Sequence, residues 1–212
     1  MLGLAAIATG YKEAPPVSGH PEICDNMTPQ HGVDAQTDNA PYMVAANSAC
    51  YKEKGIVTVS ITNESLIWYY EGFLMAVKED GKTCPSYGKF KVPSMYASSA
   101  QTLNCFGNSA SAVGHKDGIH FYEHSLTWTA PCDVTDDLVI SVTMVKNEEL
   151  FWLDVDKSDL KLEYDADCNI PVDTTCPAAP KTDECSGAVI MHPHAMAVII
   201  MALGALSWAK LL

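Results

Sequence analysis

The residues of this 212-residue chain best suited to chemistry are its seven histidines and eight cysteines. His120 and His124 lie four apart, which on an extended strand puts both on one face, yet too far apart for easy joint chelation. They read as surface or half-buried histidines rather than as a metal site. Asp133, Asp136 and Asp137 have the side chains that calcium takes, although an acidic turn is ordinarily solvated. Trp68, Tyr69 and Tyr70 suit a binding patch or, as with most strand aromatics, the core. No Gly-x-Ser-x-Gly elbow, His-Glu-x-x-His pair or phosphate loop occurs. The motifs therefore name no catalytic, cofactor or metal site, and the chain reads as non-enzymatic.

The cysteines, Cys24, Cys50, Cys84, Cys105, Cys132, Cys168, Cys176 and Cys185, contain no C-x-x-C pair, so zinc-ribbon and thioredoxin chemistry have no support. An even number in an exported chain reads as disulfides, with the pairing left open. Two sequons, at Asn26 and Asn63, are glycosylation candidates of the same compartment. Acidic residues outnumber basic ones 26 to 13, every cation is lysine, and the net charge is −13. A chain so acidic and without arginine is a poor partner for nucleic acid.

The elements that would position these residues are strands. In Gly55–Thr62, Val57, Val59 and Ile61 alternate with Thr58, Ser60 and Thr62, the pattern of a half-buried strand. Leu138–Val145 alternates likewise, with Leu138, Ile140, Val142 and Met144 inward, and Ser158–Tyr164 sets Leu160, Leu162 and Tyr164 against Asp159, Lys161 and Glu163. Leu66–Val77 is apolar on both faces, as a central strand would be, with Gly72 marking a bulge or a close approach. Turn residues at Glu79-Asp80-Gly81, Phe106-Gly107-Asn108 and Asp117-Gly118 punctuate these runs. Short strands at this spacing predict an all-β, antiparallel β-sandwich over residues 11–164. No segment before the C-terminal tail sustains a helical period.

The ends read as addresses. Residues 1–10 are small and apolar, like the remnant of a signal peptide. Residues 165–186 carry Pro171, Pro177, Pro180 and three cysteines, which reads as a stalk, with a small Cys176–Cys185 loop within it. Small residues at Ser186-Gly187-Ala188, a spacer and the uncharged run 195–208 form the pattern of a glycosylphosphatidylinositol signal over 187–212, with Ser186 as the attachment residue. His192 and His194 would leave with that tail. The alternatives are a short membrane segment and plain secretion.

Several blocks in order resemble the reeler (reelin N-terminal) domain. They are Gly10-Tyr11, Cys24-Asp25-Asn26-Met27-Thr28-Pro29-Gln30-His31-Gly32, Tyr70 to Val77, Cys105, His115, Trp128-Thr129-Ala130-Pro131 and Leu150-Phe151-Trp152. The resemblance covers about residues 10–160 and implies an immunoglobulin-like fold. It implies that Cys24 pairs with Cys105, with Cys132–Cys168 as the next bridge and Cys50 and Cys84 left for each other. It makes His31 and His115 structural hydrogen-bonding residues and puts Lys78 where the family carries a basic residue. Standalone members are described as defence proteins. The resemblance thus implies a non-enzymatic surface protein of innate defence, with a microbial surface glycolipid or a host-cell surface molecule as partner, and the C-terminal pattern adds the membrane, reached through a lipid anchor. An extracellular-matrix or cell-adhesion module is the alternative.

Overall fold

Alternation of apolar and polar residues lays down several of the strands that frame this fold. The computed structural model describes residues 14–182 apart from 64 and 66, together with Cys185. The expected signal remnant at 1–10, Ser186 and the segment 187–212 lie outside the described residues.

One sheet has the order β1 (Tyr42–Ala46), β3 (Ile56–Asn63), β8 (His124–Thr129), β5 (Lys89–Lys91). The larger sheet runs β2 (Cys50–Tyr51), β11 (Lys161–Tyr164), β9 (Leu138–Val145), β4 (Gly72–Glu79), β7 (Asn108–His115), β6 (Ala100–Cys105), with β10 (Phe151–Trp152) also on β9. All pairs are antiparallel except β11 with β2. Val57, Val59, Ile61, Leu126 and Trp128 of the smaller sheet share one core with Phe73, Met75, Val77, Ile140, Val142 and Met144 of the larger. The expected immunoglobulin-like sandwich is what forms.

Three expectations are corrected. Half-burial was expected of Leu138–Val145, yet nearly every residue of β9 is buried. The outer face of the larger sheet is covered by the N-terminal segment, including a short helix, α1 (Pro21–Asn26), which sequence periodicity did not show. Leu74, Ala76 and Ala112 pack there against Ile23, Cys24 and Met27 in a second apolar cluster. The central strand is Gly72–Glu79, and residues 67–69 before it form a loop.

The cysteine pairing also departs from expectation. Cys24–Cys105 forms, but Cys132–Cys168, Cys50–Cys84 and Cys176–Cys185 do not. Cys50 pairs with Cys168, Cys132 with Cys176 and Cys84 with Cys185, leaving no free thiol. The cause is the parallel β11–β2 pair, which sets Glu163 beside Cys50 and carries the departing chain past it. Cys168 therefore meets Cys50, and Cys132 takes the following cysteine. The stalk expected at 165–186 does not stand free where it is described. Ile56 N–H donates to the Pro171 carbonyl at 2.8 Å, Asp173 N–H to that of Lys54 at 2.8 Å, and Cys132 N–H to that of Pro177 at 3.1 Å. Ile170 packs on the core at Gly55, where a Cβ would lie 2.5 Å from Ile170 Cδ1.

Candidate functional site

A buried lysine fixes the N-terminal segment to the sheet. Lys78, 2% exposed on the outer face of β4, donates from Nζ to the carbonyls of Cys24 at 2.7 Å and Asp25 at 2.8 Å, in the last turn of α1. A cation there satisfies carbonyls that the helix leaves unpaired. Burial pulls its ammonium down to about 8. Met27 ends the helix in the left-handed region, and Thr143 Oγ1 donates to its carbonyl at 2.7 Å. The Cys24–Cys105 disulfide makes the third attachment.

Toward the Gly72 end of β4, a cleft of about 190 Å³ lies between this segment and the sheet. Phe73, Leu74 and Val145 line it from the sheet, and Ile23, Met27 and Pro29 from the segment. His31 lies on its wall, edge-on to Phe151 with ring centroids 6.2 Å apart. Its Nδ1 is buried without a hydrogen-bond partner. Burial lowers the pKa of His31, against an opposing pull from Glu148. His115 is buried in the floor, its Nδ1 3.2 Å from the Phe73 N–H and 3.3 Å from the Phe73 carbonyl. The close approach expected at Gly72 is to this ring, since a Cβ would sit 3.0 Å from His115 Cε1. Among the described residues, the charged ones lining the cleft are Glu71 and Glu148.

Beside the cleft mouth, the loops before β4, before β8 and after β9 meet at one pole of the sandwich. Tyr69 stacks on His120 at 3.6 Å, and His120 Nε2 lies 3.5 Å from Glu71 Oε1. Lys146 Nζ stands 4.1 Å over the Trp68 ring. Ile67 and Ile119 are 74% and 57% exposed. Of the three aromatics that suited either patch or core, Tyr70 is core, while Trp68 and Tyr69 are half-exposed.

His120 and His124 do not share a face, because His120 lies on the exposed loop and His124 opens β8 in the interior. His124 Nδ1 is 2.6 Å from Tyr70 Oη, and its Nε2 is 2.9 Å from Ser99 Oγ. This order, hydroxyl, imidazole and orienting group, is that of an activated nucleophile. Burial holds the imidazole down to about 4, however, so it is a poor base at neutral pH. Ser99 Oγ also donates to the Tyr96 carbonyl at 3.1 Å. The cluster is a polar tie inside the sandwich, and only the buried position of His124 reveals it.

Asp133, Asp136 and Asp137 form no ligand set. Asp133 N–H donates to Glu53 Oε1, the Asp136 carbonyl accepts the Tyr51 hydroxyl at 2.6 Å, and the Asp137 carbonyl accepts the Asp80 N–H. Among the described residues no group of three histidines, cysteines or acids could hold a metal. The sequons differ in access. Asn26 is exposed at the end of α1, whereas Asn63 Nδ2 donates to the Trp68 carbonyl at 3.0 Å.

The chain matches known proteins over this same fold. The sequence profile of the Reeler domain family matches residues 22–166. The "Putative defense protein Hdd11-like" of Samia ricini is 30% identical over 167 residues, which cover 76% of this chain and 93% of that protein. The "Putative ferric-chelate reductase 1" of Danio rerio is 34% identical over 137 residues, 64% of this chain and only 23% of the fish protein. Among solved structures, the human F-spondin reeler domain superposes with a TM-score of 0.52 at 16% identity, over 67% of this chain and 99% of that one. That last likeness is one of fold alone. With a family match that spans most of its length and takes in α1, Lys78 and both sheets, the chain belongs to the Reeler domain family.

Proposed function

We propose that this protein is an extracellular, surface-tethered recognition module of innate defence, which binds a microbial surface glycolipid or a host-cell surface molecule without transforming it. The observation that carries the reading is the polarity of the sandwich. Trp68, Tyr69, Ile67 and Ile119 cluster where β4 begins. Cys185 is fastened to Cys84, beyond the opposite end of the same strand. A lipid at Ser186 would thus hold the domain by one pole and present the aromatic loops at the other. Four disulfides support an oxidising compartment. Relatives named as defence proteins support the role. The charge of −13 argues against simple attraction to anionic lipid, so contact would run through sugar or acyl groups on the aromatic and aliphatic loops.

Purified protein should bind intact bacteria or lipopolysaccharide saturably, and Trp68→Ala with Ile119→Asp should remove that binding while the fold is kept. Saturable binding to matrix components alone would overturn the defence reading in favour of adhesion. For the anchor, a phosphatidylinositol-specific phospholipase should release the protein from whole cells. Retention, once inositol acylation is excluded, would favour a membrane-spanning tail.

A further inference from the structure

We propose that the cleft between the N-terminal segment and the larger sheet is a binding site for a small arylalkyl ammonium, one aromatic ring on a short chain ending in a protonated amine. A cavity of about 150 Å³ lined by apolar side chains accommodates benzene. At about 190 Å³, this cleft takes one ring and a short linker, not a long acyl chain. Its walls suit the ring, with Leu74 and Val145 on one side and Met27 and Pro29 on the other. The cleft is also preformed. Cys24–Cys105, Lys78 and Thr143 hold its roof, so little ordering is needed on binding.

Charge decides the head group. Among the described residues, the charged ones lining the cleft are two carboxylates, Glu71, whose side chain is 33% exposed, and Glu148, with no lysine beside them. An ammonium gains from both, whereas a carboxylate or phosphate would be repelled. His31 adds a specific group. Its Nδ1, buried without a partner, carries a free-energy cost that a ligand N–H would recover once the ring turns toward the cleft. In the neutral imidazole that burial favours, Nδ1 can be that acceptor.

The test titrates the whole secreted protein with phenethylamine hydrochloride, phenethyl alcohol and phenylacetate, matched in shape and different in charge. Phenethylamine should bind one to one, about fivefold or more tighter than the alcohol, with phenylacetate weakest. Its amide NMR shifts should centre on His31, Gly72 and Phe73. Glu148→Gln should reduce the preference for the amine, and Glu148→Lys, at an exposed position that folding does not need, should invert it toward phenylacetate. Equal binding of all three probes, shifts centred on Trp68 and Tyr69, or no binding at millimolar concentration would each overturn the proposal. Bacterial binding is read on Trp68 and Ile119 variants, so the two readings can fail independently.

Discussion

His124 sits among the rings of Tyr70, Phe73, Tyr96 and Phe121, and the fold resists its protonation. An unfolded histidine titrates near 6.5 and this one at about 4, so as pH falls the unfolded chain takes the proton first. The stability tied to the neutral imidazole is complete above about pH 6.5 and is lost progressively toward pH 4, roughly 3 kcal/mol in all. Denaturant titrations of the wild type and of His124→Gln at pH 7 and pH 4.5 should show a smaller pH-dependent loss in the variant; parallel losses would refute this account. None of it was legible beforehand, because a histidine four residues from another carries no mark of which one lies inside. Lys78 is the same kind of case. A lone cation on an apolar strand says nothing of the helix carbonyls it serves, and only the family resemblance singled it out.

At the scale of elements, alternation carried most of the information. Val57, Val59 and Ile61 face the core of the sandwich as their spacing predicts. The turn residues at 106–107 close a two-residue hairpin with φ of 51° and 65°, which favours glycine at the second position. Alternation could not reveal what covers the outer face, since Ser141 and Thr143 read as exposed until α1 is laid over them. Gly88 is a second hidden constraint. Its φ is +68°, and a Cβ there would meet Thr129 O at 2.4 Å and Trp128 Nε1 at 2.5 Å. Trp128 is fully buried and donates from Nε1 to the Tyr87 carbonyl at 2.8 Å. Gly88→Ala should therefore cost about 2–4 kcal/mol, through positive-φ strain and a displaced indole, read as a shift in the unfolding midpoint. A cost under about 0.5 kcal/mol would mean that Trp128 is not held there.

Across the whole molecule, the segment after Tyr164 belongs with the domain. Its proline-rich composition reads as a stalk because composition cannot show covalent partners, and long-range cysteine pairing depends on strand order. A chain ending at Tyr164 would leave Cys50, Cys84 and Cys132 without partners. It should melt at least about 10 °C lower than one ending at Cys185, or fail to fold, given the usual contribution of each disulfide. An unchanged melting temperature would restore the stalk. The same bridges decide how the protein carries a load. A pull between Ala14 and Cys185 travels to Cys24, crosses to Cys105, returns along the chain to Cys84 and crosses to Cys185. Even with every strand torn open, that covalent short circuit pays out only about 100 Å, against roughly 600 Å for the same chain reduced. A cell-bound molecule wired in this way would act under shear as a short leash.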